Sequence, residues 1–284
     1  MGAPVVIGVA GGRRDREVAS ALLRTVLDAD EPYGRAGIVG ARELHDGAEW
    51  KRRPNLAHEL ERIDSHVRNA ADAGLPFLVV ELDEAAERGT NRLDVLCTIG
   101  AGGAGTARAG GRGLSFSARG AIADVGASHM ESHYGYVQFQ AHTPEWEACL
   151  ALPVTGLFNL GPALGVVATS ALLGIDVAQI ASGLLHARAP GHGDLLFSPD
   201  HRVFALVEES RARRDAERLV AAAREEYGSL RLEVVRGAGA VPDAVARAYG
   251  APGGERSMLV LLGDSSEALE DAFQAAVRAH AHLG

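Results

Sequence analysis

The chain has 284 residues, 47% of them hydrophobic, and 37 acidic against 28 basic side chains give a formal charge of -9. A chain of that size can bury one large core or two modest ones, and its acidity argues against nucleic acid or an anionic membrane as the main partner. No basic-then-apolar leader opens it and no apolar run approaches the roughly 20 residues of a bilayer span, so a cytoplasmic protein is expected, with Cys97 and Cys149 as reduced, buried thiols.

The organising stretch is the first one. Val5-Val6-Ile7-Gly8-Val9-Ala10 is a β-branched run that breaks at Gly11-Gly12, and Val18, Leu22 and Leu23 then recur at helical spacing. Strand, loop and helix in that order are where a phosphate loop sits. Such a loop needs G-x-x-x-x-G-K-[ST], with glycines that let backbone N–H groups cradle phosphate, a lysine for the terminal phosphates and a hydroxyl for Mg²⁺. Gly8, Gly11 and Gly12 keep the frame. The place of Gly-Lys-Thr, however, holds Arg14-Asp15-Arg16, and Asp15 would repel a phosphate. Lys51 is the only lysine in the chain and lies in a loop-like stretch, where a surface role is expected.

Gly34 to Gly40 reads as a short second strand, Leu56 to Ala73 as an amphipathic helix, and Pro76 to Leu82 as a strand buried on both faces. That β-α-β-α-β alternation predicts an α/β domain with a mostly parallel, doubly wound sheet. A further strand follows at Leu93 to Thr98. The glycine-rich run from Ile99 to Gly113 reads as a flexible loop. Short strands are expected between Leu114 and Leu152, with Val137, Phe139 and Ala141 facing inward. His129 and His133 stand four apart, which on a helix could ligate a metal, but Ser128 and Tyr134-Gly135-Tyr136 favour strand or turn.

A helix from Ala163, with Pro162 in its first turn, and another from Val177 to Leu185 complete a first domain over 1–188. A smaller α/β domain over 189–284 follows from strands at Arg202–Ser210, Leu230–Val235 and Met258–Leu262. Its helices are expected at Asp215–Tyr227, Pro242–Tyr249 and Glu267–His282. Gly263-Asp264-Ser265-Ser266 reads as a helix cap.

In order and spacing these segments resemble the Mur ligases, which build peptidoglycan stem peptides, most closely the UDP-N-acetylmuramoyl-tripeptide synthetase branch. The resemblance runs through Gly8-Val9-Ala10-Gly11 and Leu22-Leu23-Arg24 to Asp72-Ala73-Gly74 before Leu78-Val79-Val80-Glu81. It continues with Phe158-Asn159, Leu173-Gly174-Ile175 and Pro190-Gly191. It implies a central P-loop-type ATP-binding domain followed by a Rossmann-like C-terminal domain. Phosphate would meet Gly8, Gly11, Gly12, Arg13 and Arg14, adenine would meet Asn159, and Glu81 would serve Mg²⁺.

It also implies losses. The phosphate-loop lysine and the second, carbamylated lysine have no counterpart, Pro162 stands where a second asparagine is expected, and His192 replaces an arginine. The UDP-binding N-terminal domain has no place before Val5. Three functions are consistent with this pattern. The first is a non-catalytic protein, without cofactor, that binds a protein partner or a second copy of itself. The second is a divergent ligase of carboxylates and amines that uses ATP and Mg²⁺, with Arg13, Arg14 or Arg16 on the phosphates, or another enzyme acting on a peptide derivative in the inter-domain cleft. The third is a sensor of a small anionic ligand.

Overall fold

A computed structural model describes residues 2–29, 34–83, 92–120, 122–209 and 212–281. They fall into two compact units. One comprises Met1–Met130, Gln138–Pro153 and Phe158–Arg188; the other comprises Glu131–Val137, Val154–Leu157 and Ala189–Gly284.

The first unit is built on an 11-stranded sheet with four parallel strands near its middle. Strand β1 (Val5–Gly11) pairs in parallel with β5 (Phe77–Glu81) on one side and β6 (Val95–Ile99) on the other, and β5 pairs in parallel with β2 (Ala36–Val39). The near-continuous apolar runs of β1 and β5 suit strands covered on both faces. Helix α1 (Arg13–Asp28) connects β1 to β2 and buries Val18, Ala19, Leu22, Leu23, Val26 and Leu27. The helix expected from Leu56 to Ala73 is two, α2 (Leu56–Glu61) and α3 (Ile63–Asp72), broken at Arg62, whose φ of -100° and ψ of 12° leave the helical region.

Beyond this centre the sheet is extended largely by antiparallel pairs. On the β2 side lie β3 (Glu43–His45) and β4 (Trp50–Arg52), a hairpin too short and too charged to register as alternating strands. On the β6 side the glycine-rich run corrects the sequence reading. It is no loop but the start of a hairpin, β7 (Ala104–Ala109) and β8 (Arg112–Ser117), with β7 antiparallel to β6. Gly110 and Gly111, with φ of 52° and 83°, supply the paired positive φ that a two-residue hairpin turn demands. At Gly105 a Cβ would lie 2.0 Å from the Thr98 carbonyl oxygen, so close backbone approach requires glycine there.

Strands β9 (Val125–His133), β10 (Tyr136–His142) and β11 (Glu147–Leu152) complete the sheet. Val137, Phe139 and Ala141 are buried, as their alternation predicts. His129 and His133 lie on β9 rather than a helix, where four residues of extended chain separate them by roughly 13 Å. A single 3₁₀ turn at Leu157–Asn159 leads into α4 (Leu160–Leu173), which packs against β6, β7 and β8, and α5 (Val177–His186) follows.

The cysteines divide. Cys97 on β6 is buried, and burial pushes its thiol up to about 11, whereas Cys149 is exposed on β11, against expectation. A thiol-reactive aromatic disulfide at pH 8 is therefore expected to label one cysteine promptly and the second at least ~100-fold more slowly, at the rate of local unfolding. Two fast thiols in the folded chain would contradict the burial of Cys97.

In the second unit β12 (His192–Phe197), β13 (Val203–Glu209), β15 (Ser257–Gly263) and β14 (Arg231–Arg236) lie side by side in that order. All but the antiparallel edge strand β12 are parallel. Helices α6 (Arg213–Glu226), α7 (Val241–Tyr249) and α8 (Ser266–Ala281) accompany them, and Val203, Ala205, Val207, Leu259, Leu261 and Phe273 form part of the core. Ser265 Oγ accepts the Ala268 N–H at 3.3 Å, the cap its sequence suggested. Ser210 and His282, the expected ends of a strand and of the last helix, lie outside the described residues. No helix among the described residues is long and apolar enough to cross a membrane.

Candidate nucleotide site

The carboxyl end of β1, flanked by β5 and β6 and followed by α1, is the position at which an open α/β sheet offers a ligand crevice. The strand runs through Gly11 and the helix starts at Arg13, so Gly12 alone connects them. A phosphate loop needs several residues there to present successive N–H groups. Gly8 lies inside the strand. A Cβ on it would fall 2.6 Å from Leu93 Cδ1 and 2.8 Å from Leu82 Cδ1, so a side chain there would crowd both leucines. Gly11, at φ 139°, faces the Ile99 carbonyl, 2.5 Å from where a Cβ would stand.

The first turn of α1 carries Arg14 and Arg16 inward and leaves Arg13 exposed. Arg14 is buried; its Nη1 donates to Asn159 Oδ1 at 2.9 Å, and its guanidinium lies 4.5 Å from the centre of the Phe158 ring. Arg16 is buried too, and its Nη1 donates to the Leu82 carbonyl at 2.9 Å and to the Gly11 carbonyl at 3.4 Å, with Nε 3.7 Å from Glu81 Oε2. Cations at a helix N-terminus run against its dipole. Arg16 compensates by taking carbonyl and carboxylate oxygens at the ends of neighbouring strands, and Arg14 by taking the Asn159 side-chain oxygen in the turn before α4.

The carboxylates are engaged in the same network. Glu17, buried on α1, accepts from Arg13 Nε at 2.6 Å and Arg42 Nε at 2.8 Å. Glu81, at the end of β5, accepts the Ala41 N–H at 3.2 Å. Burial, joined by the nearby Glu17 charge, pushes the Glu81 carboxyl up to about 7 despite the Ala41 N–H, Arg16 and Arg42.

Of the residues singled out from the sequence, Gly11, Gly12, Arg13, Arg14 and Asn159 meet around the start of α1, Glu81 stands beside Arg16, and Gly8 is part of the strand. Glu17, Arg42 and the Leu82 carbonyl were not foreseen. The spacing of Arg13 and Glu17, four apart on a helix, was the one visible hint. Lys51 lies on β4, its ammonium 2.7 Å from Glu49 and 3.1 Å from Glu59, away from this network. As a set these side chains do not fit a nucleoside triphosphate with Mg²⁺. The loop that would wrap the phosphates is reduced to one residue, and Glu81 is turned onto Arg16 and the Ala41 backbone.

Solved structures resemble the chain along almost its whole length. The UDP-N-acetylmuramoylalanyl-D-glutamyl-2,6-diaminopimelate--D-alanyl-D-alanyl ligase from Acinetobacter baumannii is 16% identical, with a TM-score of 0.62 over 97% of this chain and 76% of that one. A UDP-N-acetylmuramoyl-L-alanyl-D-glutamate--2,6-diaminopimelate ligase is 11% identical, with a TM-score of 0.65 over 99% and 80%. The chain shares the Mur ligase fold. Folylpolyglutamate synthetase from Lactobacillus casei has it too, 11% identical at a TM-score of 0.57 over 99% of this chain and 91% of that one. No protein-family model and no curated protein sequence matches the chain. At such identities the likeness is one of fold, and it extends equally to ligases with different substrates.

Proposed function

We propose that the chain is a non-catalytic, cytoplasmic protein on the Mur ligase fold that acts through a protein partner or by self-association, its nucleotide crevice closed by its own arginines. Arg16 carries this reading. A guanidinium hydrogen-bonded to two strand-end carbonyls and set beside Glu81 stands in the crevice itself. Phosphoryl transfer depends on positioned cations that neutralise developing charge. Here the cations of the first turn of α1 neutralise the protein instead. The neighbours are named as ligases, which makes an ATP-dependent ligase the competing reading.

Calorimetric and thermal-shift titrations with Mg²⁺-ATP and Mg²⁺-ADP separate the two. The expected result is no heat of binding and no stabilisation at roughly millimolar nucleotide, because a ligand stabilises in proportion to the logarithm of its concentration over Kd. Micromolar binding that disappears in Arg14→Ala would overturn the proposal and put the arginines on phosphates.

A further inference from the structure

The β3–β4 hairpin carries a second buried polar cluster. His66 on α3 is 0% exposed, with Nδ1 2.7 Å from Asp46 Oδ2 and Nε2 3.2 Å from Glu59 Oε2. Asp46, also 0% exposed, lies in the turn between β3 and β4 and accepts the N–H groups of Ala48 and Glu49 at 3.0 and 2.7 Å and Asn69 Nδ2 at 2.7 Å. Glu59 on α2 meets Lys51 of β4 and Arg62 of the α2–α3 junction, each at 3.1 Å, and Glu49 meets the same two cations, each at 2.7 Å. Turn, strand, both helices and the break between them all converge on one imidazole.

Burial raises both carboxyls that face the ring, but other contacts outweigh it and leave both below the ordinary range. For Asp46 these are His66, the Glu49 N–H, Asn69 and the Ala48 N–H; for Glu59 they are Lys51, His66 and Arg62. An ionised carboxylate only accepts, whereas a neutral imidazole has one N–H and would turn a bare lone pair toward the other carboxylate. The charges agree. Asp46, Glu49 and Glu59 are three anions against the two cations Lys51 and Arg62, and a second proton on His66 brings the cluster to neutrality. We propose that His66 is held as a doubly protonated imidazolium and that this proton latches the β3–β4 hairpin to α2 and α3. In acid the latch would open as Asp46 and Glu59, both held below the ordinary carboxylate range, gain protons.

NMR of the full chain labelled with ¹⁵N-histidine tests this. At pH 7 both His66 ring nitrogens are expected to carry protons, and a ring with one N–H in the parent protein would overturn the proposal. Glu59→Gln keeps the shape but leaves a single carboxylate facing the ring, and is expected to leave the ring with one N–H under conditions where the parent holds two. Under those conditions, protection factors of the Leu44 and Lys51 amides, corrected for intrinsic exchange, should fall at least tenfold while those of β1 and β6 hold. Hairpin protection that ignores the loss of the proton would equally overturn it.

Discussion

Arg16→Ala is expected to lower the stability of the first unit by about 3–5 kcal/mol at pH 8, the range for removing one partner from a buried charged contact. The side chain satisfies the Leu82 and Gly11 carbonyls and faces Glu81, which itself lies near Glu17. Without it, two carbonyls lose a charge-assisted donor and a buried carboxylate loses its nearest cation. For a unit of this size the loss corresponds to a fall in Tm of roughly 10 °C. Pairing the substitution with Glu81→Gln should recover part of the loss, since the stranded charge goes with it, and a double-mutant cycle reads that coupling directly. A Tm within ~2 °C of the parent would mean that Arg16 is solvated, and the proposed closure of the crevice would go with it.

The framework of the fold was legible where side-chain periodicity decides it. The apolar run of β1, the helical spacing in α1 and the strand–helix alternation after Arg202 all declare what they pack against. Legibility failed where the backbone decides. The run from Ile99 to Gly113 is rich in glycine because Gly105 meets the Thr98 carbonyl and Gly110-Gly111 must turn with positive φ, yet from sequence alone such glycines look like slack. The three-residue strands β3 and β4 were invisible for want of alternation, and so was the polar cluster their turn carries. At the candidate site the stretch singled out from the sequence forms a strand end, a one-residue connection and the first turn of a helix. Gly8 reads as a phosphate glycine and lies inside β1, packed against Leu93 and Leu82. That Arg14 would spend its charge on Asn159, 145 residues away, is a tertiary fact with no local signature.

Glu81 gives the site its own pH dependence. Its carboxyl is pushed up to about 7 in the folded protein, first by burial and then by the Glu17 charge, while an exposed glutamate titrates near 4.5. Because the folded value is the higher one, the folded state holds its proton longer. The stability linked to this group is therefore fully present below pH 4.5 and is lost as pH rises toward and through 7. At about 1.4 kcal/mol per unit, the loss between pH 5 and pH 8 is on the order of 2–3 kcal/mol. Glu81→Gln removes the titration while keeping the shape that fits beside Gly40, where a Cβ would stand 2.6 Å from Glu81 Oε1. Denaturant unfolding of the two proteins should give similar stabilities at pH 5. At pH 8 the Glu81→Gln variant should be the more stable, its curve flatter across the interval. Parallel curves would show that Glu81 ionises alike in the folded and unfolded chains, and a carboxylate so easily charged would be solvated rather than packed against Arg16. A loss in the parent steeper than one group can give would instead tie the charge on Glu81 to the rest of the network, since ionising it beside Glu17 draws on the same two nearby cations, Arg16 and Arg42.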